Sequence, residues 1–205
     1  MPANLSPADE VLSIAKASFS DAARIHQLIE ILEAQNRDGV NRSLSAAGAG
    51  RAADVAKNAF VADLVLLVER AYSRPRAGDG HIGRAFQLLQ TPEILENCER
   101  ICDAALLRGC IDMWAALNTA ENHRKVKHFR DKFTAHIGLP DPDIPLPTFG
   151  KLFSFAKETA SLLSKFAITT RQSSASIEAF DGKSRLSAEA FWKPWRVTPA
   201  GDPRA

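Results

Sequence analysis

The 205-residue chain has little cysteine and no long hydrophobic run. Its most apolar window, residues 59–68, is interrupted by Asp63 and is far shorter than the roughly 20 residues that a helix needs to cross a bilayer. The first residues also lack the basic and then apolar pattern of a secretory signal. These absences predict a cytoplasmic protein that has no membrane partner.

The three cysteines, Cys98, Cys102 and Cys110, are an odd number and do not form a disulfide framework. Cys98 and Cys102 lie four residues apart on a predicted helix, a spacing at which two thiolates could bind a metal. However, no CxxC pair or suitably spaced histidine accompanies them. We therefore interpret the cysteines as reduced thiols in the core, and we expect neither a metal nor a cofactor.

Several catalytic motifs are also missing. The chain has no G-x-S-x-G elbow, no H-E-x-x-H pair and no aromatic RNA-binding sheet. Gly48 and Gly50 precede a helix, but neither a strand before them nor a GK[ST] sequence after them supports a phosphate-binding loop. Acidic residues are scattered singly along the helices, which argues against a paired-carboxylate site. The net charge of +2 says more about solubility than about partners.

What the chain does contain is apolar residues at helical spacing almost throughout. The spacing predicts helices, with the boundary near Gly109 left open, over residues 7–36 (with a possible break near 20–21), 51–73, 81–89, 91–107, 111–136 and 148–176. Residues 37–50 are predicted to form a loop. The prolines of residues 140–147 exclude helix and predict an extended connector on the surface. The pattern is typical of an all-α, up-and-down antiparallel helical bundle.

The last 27 residues differ from the rest of the chain. They contain Trp192 and Trp195, interrupted by Pro194. We predict a single domain over residues 1–178, with its core at about 50–175, followed by a poorly structured tail over 179–205. The two tryptophans could pack on the bundle, bind a partner or remain loose, and packing is the interpretation that we favour.

Residues 121–136 form the most basic part of the chain. They carry five Lys or Arg residues and two acids, a local charge of +3 (five minus two), and three of the five histidines. Val126, Phe129 and Phe133 recur at helical spacing, and His136 continues that stripe. His123 and His128 are expected at the surface. A solvated helix face is the ordinary explanation of such a basic run.

Three residues of this stretch, Arg130, Asp131 and His136, have chemistry suited to a site. On an ideal α-helix, the six residues from Arg130 to His136 rotate the chain by about 600°, so their side chains point roughly 120° apart. A second copy of the chain could supply the missing half of a site. Asp131 could orient Arg130 by a charge-assisted hydrogen bond. The alternative for His136 is a core imidazole that is bonded to a backbone carbonyl.

The segment Arg130-Asp-Lys-Phe-Thr-Ala-His136 resembles the R-[N/D/H]-x(3-5)-H motif of the HEPN superfamily, named for nucleotide-binding proteins of higher eukaryotes and prokaryotes. It is most similar to the branch of the AbiU abortive-infection proteins, and the likeness covers about residues 50–170. The resemblance implies a bundle that dimerises and brings two motifs together in a cleft. It further implies a metal-independent endoribonuclease in a toxin–antitoxin or phage-defence setting, with an antitoxin or regulatory protein as a possible partner.

Within this resemblance each motif residue has an implied role. His136 is the general acid/base, Arg130 binds the phosphate, and Asp131 is the polar residue that follows the arginine. Gly138 stands where members that are neutralised by nucleotidyl transfer carry a tyrosine, so that mode of control is not expected. The basic residues Arg124, Lys125, Lys127 and Lys132 are expected to bind RNA. The alternative is an inactive module that binds RNA, a nucleotide or a protein partner.

Overall fold

The computed structural model describes residues 5–37, 39–76, 78–134, 139 and 141–196. Within these ranges the chain is helical and contains no strand. The α-helices are α1 (Pro7–Gln35), α2 (Val40–Ala46), α3 (Gly50–Arg70), α4 (Ile82–Leu88), α5 (Pro92–Glu99), α6 (Ala104–Thr119), α7 (Glu121–Phe129), α8 (Phe149–Thr169) and α9 (Asp181–Trp192). A π-helical turn, Arg130–Thr134, follows α7 directly. The prediction of an all-α bundle is confirmed.

Helix α1 is the longest element and begins at an ordinary N-terminal signal. The N–H of Asp9 donates to Ser6 Oγ (3.2 Å), and Pro7 occupies the first helical position. The break expected near Ser20 does not occur. Asp21, which could have capped a new helix there, instead forms an ion pair with Arg70 on α3. The helix therefore runs without interruption through the bundle.

Ion pairs show that α1 and α3 are antiparallel. Asp21 contacts Arg70, whereas Arg24 Nη2 lies 2.8 Å from Asp63 Oδ2, so advancing along α1 means going back along α3. Helix α1 packs most extensively against α8. The core between these helices is filled by side chains that are almost completely buried: Ile25, Ile29, Leu64, Phe86, Phe155, Leu162 and Phe166. No helix in the described ranges is both long enough and apolar enough to cross a membrane.

The prediction of an uninterrupted loop over residues 37–50 is wrong, because α2 lies within it. Gly39, with φ of 70°, sets the left-handed entry to this short helix. Val40 and Leu44 are buried in a small cluster with Ala188 and Trp192 of α9. Seven residues make too short a helix to be stable alone. This contact between distant parts of the chain stabilises α2, and the local sequence does not predict the contact.

The predicted helix from Thr91 to about Leu107 is also wrong, because it is two helices. Helix α5 ends at Glu99, and α6 starts after Asp103, whose Oδ1 accepts the N–H of Leu106 (2.9 Å). Gly109 lies inside α6, so the boundary considered there does not exist. The chain instead turns at Ala120, where ψ is 146°, before α7 begins.

Only part of the basic stretch is an α-helix. It is an α-helix to Phe129 and a π-helical turn from Arg130 to Thr134. The 120° estimate assumed an α-helix throughout, so it does not hold across this turn. Residues 135–138, which include His136 and Gly138, lie outside the described residues. The predicted connector is confirmed for residues 141–147, which are not helical.

Helix α8 begins and ends at clear signals. Thr148 Oγ1 accepts the N–H of Lys151 (3.3 Å), as expected of a capping threonine. The helix ends at Thr169 and not near Ser176, because Arg171 adopts a left-handed conformation with φ of 59°. The three cysteines are free and buried, as predicted. Burial raises the pKa of Cys98 to about 11, so this thiol is protonated at neutral pH.

The segment after residue 178 is more ordered than we expected, because it contains α9, which packs on α1. Trp192 is 4% exposed, and its Nε1 donates to the carbonyl oxygen of Ile31 (3.0 Å). This tryptophan is therefore a packing anchor. Pro194 does not prevent α9, because it follows the last residue of that helix and lies in a short 3-10 turn, Lys193–Trp195. Residues 197–205 lie outside the described part of the chain.

Candidate functional site

The inner face of α7 packs against the end of α3 and carries two buried histidines. His123 and His128 are 8% and 6% exposed, so the prediction that they lie at the surface is wrong. Each has a hydrogen-bond partner that makes burial possible. His123 Nδ1 lies 2.7 Å from the carbonyl oxygen of Asn118, and His128 Nε2 accepts the N–H of Asp141 at 3.2 Å. The second contact fixes the connector to α7.

Glu69 is a buried acid at the end of α3, with 2% exposure. Its Oε1 lies 3.2 Å from His123 Nε2, although the two atoms are not aligned as a hydrogen bond. Its Oε2 lies 3.9 Å from Arg130 Nη1. The ring of Tyr72 packs beside His123, with centroids 4.8 Å apart, and burial raises the pKa of Tyr72, which keeps its phenol neutral. Glu69 therefore connects α3 to the guanidinium of Arg130.

Arg130 is held by the residue that follows it. Its Nε donates to Asp131 Oδ1 (2.8 Å), and its Nη2 contacts the same oxygen. The expected charge-assisted hydrogen bond is therefore present. The Arg130 side chain is one-quarter exposed, and Nη1 has no hydrogen bond among the described residues. Asp131 fixes the guanidinium, and Nη1 faces the Glu69 carboxylate without forming a hydrogen bond to it.

Two neighbouring cavities of about 440 and 460 Å³ open between the end of α3, the following loop and α7. They share Tyr72, Ser73, Arg74 and Lys127 as lining residues, and together we call them the basic groove. The cations that line the groove are Arg70, Arg74, Arg76, Arg124, Lys127 and Arg130, and the acids are Glu69 and Asp79. The lining charge is +4 (six minus two), which exceeds the +2 of the whole chain.

A family model supports the resemblance that the motif first indicated. The model HEPN_AbiU2, described as AbiU2, matches residues 8–191. The chain belongs to this HEPN family. The match extends beyond residues 50–170, where we first saw a likeness, and includes both α1 and α9. Neither a curated protein nor a solved structure matches the chain.

Of the HEPN motif, the structure describes Arg130 and Asp131, whereas His136 lies outside the described residues. Two of the predicted RNA-binding residues, Arg124 and Lys127, are exposed and line the basic groove. Lys125 does not, because it is 7% exposed and forms an ion pair with Glu121 on its own helix. This contact lowers the pKa of Glu121.

Lys132 is half-buried on the π-helical turn and is not among the residues that line the groove. The structure of this HEPN chain therefore brings Arg124, Lys127 and Arg130 together and leaves Lys125 and Lys132 apart from them. The two predicted RNA-binding residues that line the groove, Arg124 and Lys127, both precede the π-helical turn.

The opposite wall of the groove was missed by sequence reasoning. It is the loop after α3, which presents Arg74 and Arg76 and ends at Asp79 and His81. Asp79 Oδ2 accepts the N–H of Arg76 (2.6 Å) and lies 3.2 Å from His81 Nε2. The hydrogen bond from the backbone N–H of Arg76 is the main cause that lowers the pKa of Asp79, and the contact with His81 lowers it further. The signal available in the sequence was an Arg-Pro-Arg tripeptide directly after a buried helix.

Glu69 also had a signal that the sequence analysis did not use. It lies beside Val65 and Val68 on a helix whose neighbouring residues are almost all apolar. An acid on a buried helical face requires a cationic or hydrogen-bonding partner. Such a residue is therefore a better marker of a site than an acid on an exposed face.

Proposed function

We propose that this HEPN chain is a metal-independent endoribonuclease that uses His136 together with Arg130, which lines the basic groove. The observation that carries the proposal is the position of Arg130. The motif arginine is fixed by Asp131 and lines the groove whose lining charge is +4 (six cations minus two acids). A toxin–antitoxin or phage-defence setting, with an antitoxin or regulatory protein as partner, belongs to the same proposal and is supported by the family.

The reaction that fits these residues is an intramolecular transesterification of the RNA backbone. His136 takes the proton of a ribose 2′-OH, and the 2′ oxygen attacks the adjacent phosphorus. The bond from phosphorus to the 5′ oxygen breaks, and the protonated His136 gives its proton to that oxygen as it leaves. Arg130 stabilises the negative charge that develops on the phosphoryl oxygens. The products are a 2′,3′-cyclic phosphate and a 5′-hydroxyl end.

One observation favours the second candidate, an inactive HEPN module that binds RNA through the same groove. Arg130 lies between two carboxylates, Asp131 and Glu69. Each of them neutralises part of the charge that the guanidinium would offer to a phosphate in a transition state. Binding through Arg124 and Lys127 does not depend on that charge.

The two candidates are separated by incubating the purified protein with mixed RNA in excess EDTA. We expect cleavage at an unchanged rate, because neither His136 nor Arg130 requires a metal. The new ends should be 2′,3′-cyclic phosphates or their hydrolysed forms, which mass spectrometry of the fragments identifies. Cleavage that EDTA abolishes contradicts the proposal. RNA binding without any cleavage supports the inactive module.

We further propose that the chain forms a homodimer near the motif. Phe133, Leu146 and Phe149 are 47%, 44% and 51% exposed, and they lie on the π-helical turn, the connector and the start of α8. Large apolar side chains exposed close to a motif are suited to contact with a second copy. Static light scattering at micromolar concentration should give twice the monomer mass.

Exchange of Phe133 and Phe149 for Ser together should shift the protein to a monomer and reduce cleavage, because apolar contact area is lost on both copies. Leu186→Ser is the matched control, since Leu186 is 65% exposed but lies on α9. A parent protein that is monomeric at these concentrations contradicts the dimer.

A further inference from the structure

The motif and α7 account for one wall of the basic groove, and the loop after α3 forms the other. Arg74 and Arg76 are exposed on this loop and line the groove opposite Lys127. The backbone N–H of Arg76 donates to Asp79, and His81 Nε2 contacts the same carboxylate. Asp79 is thus bonded within its own loop, and the side chains of Arg74 and Arg76 remain exposed to solvent.

The second cavity of the groove is chemically different from the first. It is lined by Trp114, Asn118 and Thr119 as well as by Arg74 and Lys127. The indole of Trp114 is fixed, because its Nε1 donates to the carbonyl oxygen of Ala71 (2.9 Å) and its ring packs against Phe86. An aromatic ring, an amide and a hydroxyl beside two cations are the groups that bind a base next to its phosphate.

The size of this cavity fits one nucleotide. Its volume of about 460 Å³ lies in the range of small-molecule sites, roughly 300–1,000 Å³. A base can stack on an aromatic ring that lines such a cavity only when it is unstacked from its neighbours and unpaired. The deep, narrow major groove of duplex RNA hides base edges from side chains, whereas unpaired segments expose them.

We propose that the second cavity of the basic groove, together with the loop after α3, is a subsite for single-stranded RNA next to the bond to be cut. Arg74 and Lys127 bind a flanking phosphate from opposite walls, Arg76 adds charge along the backbone, and Trp114 with Asn118 receives the neighbouring base. This deepens the proposed function and rests on it. The consequence is that the protein selects unpaired RNA and has a base preference at the position that faces Asn118.

The test measures binding of a short unpaired oligonucleotide with 2′-O-methyl riboses, which cannot be cut because the 2′-OH is blocked. Fluorescence anisotropy is recorded over a series of salt concentrations. The Arg74→Ala, Arg76→Ala double variant should weaken binding and lower the slope of log affinity against log salt by about 0.7 for each lost contact. The Arg42→Ala, Arg51→Ala variant is the control. Both arginines are exposed near the start of α3, and Arg51 lies about 28 Å along the helix axis from Arg70, which lines the groove.

The base contact is tested separately. Trp114→Leu should weaken binding about 5- to 150-fold, the range expected for the loss of one base stack. Asn118→Ala should change the preference among oligonucleotides that differ in one base, and it leaves the packing of Trp114 intact. Thermal unfolding of each variant checks that the fold is retained. The same sequence placed in the paired stem of a longer hairpin should bind more weakly than the unpaired strand.

Equal binding by the Arg74, Arg76 variant and its control overturns the inference, and so does a hairpin that binds as tightly as the unpaired strand. Cleavage measured in parallel separates the two proposals. If the groove variants lose binding but the parent does not cut natural RNA, the subsite stands and the ribonuclease falls. If the parent cuts RNA while these variants bind and cut as it does, the ribonuclease stands and the subsite falls.

Discussion

Replacing His136 with Ala is expected to lower RNA cleavage about 100- to 10,000-fold, the usual contribution of a general acid or base. RNA binding should remain unchanged, because the affinity comes from cations of the basic groove such as Arg124 and Lys127. Single-turnover cleavage of a labelled RNA and anisotropy with a 2′-O-methyl strand measure the two effects. The proposal therefore predicts that binding and cleavage separate in one variant.

A second histidine provides the control for this experiment. His26 lies on α1, where its Nε2 is 3.0 Å from Asp181 Oδ1 of α9 and it lines neither cavity of the groove. His26→Gln should cut RNA at the parental rate. A His136→Ala protein that cuts as fast as the parent, with the same circular dichroism spectrum, would remove His136 from the mechanism.

Exchange of Phe86 for Ala is expected to lower the free energy of unfolding by about 3–5 kcal/mol. Phe86 is 1% exposed, and its ring lies 5.5 Å from that of Trp114 and 5.0 Å from that of Phe166, measured between centroids. The change removes apolar contact area and leaves a cavity where α4, α6 and α8 meet. Denaturation by urea, followed by circular dichroism, gives the free energy.

Val55→Ala is the matched control, because Val55 is 71% exposed on α3. It should change the free energy by no more than about 0.5 kcal/mol. A loss below about 1 kcal/mol for Phe86→Ala would contradict this account of the core. Because Phe86 also supports Trp114, the same variant should weaken the binding of unpaired RNA.

The long helices could be predicted because their signals are local. Helices α1, α3 and α8 each present apolar residues at helical spacing over five or more turns, and Ser6 and Thr148 mark two of the starts. Helix α2 could not be predicted, since Val40 and Leu44 are stabilised by residues about 150 positions away along the chain. The split between α5 and α6 depended on Asp103, a capping residue that the continuous apolar pattern concealed.

In the candidate site, too, the contacts between neighbours in sequence could be predicted and those between distant residues could not. The hydrogen bond from Arg130 to Asp131 joins neighbours in sequence, and it could be expected from the motif. The approach of Glu69 to His123 and the position of Arg74 opposite Lys127 depend on how α3 lies against α7, which no local pattern encodes. The burial of Lys125 likewise became visible only when the inner face of α7 was known.

The π-helical turn bears on how the spacing of the motif can change during evolution. A π-helical turn closes its backbone hydrogen bonds over one residue more than an α-helical turn does. Loss of one residue between Arg130 and Thr134 would therefore leave an ordinary α-turn between the same two ends. We therefore expect the chain to tolerate the deletion of one residue within this turn without a change in α7.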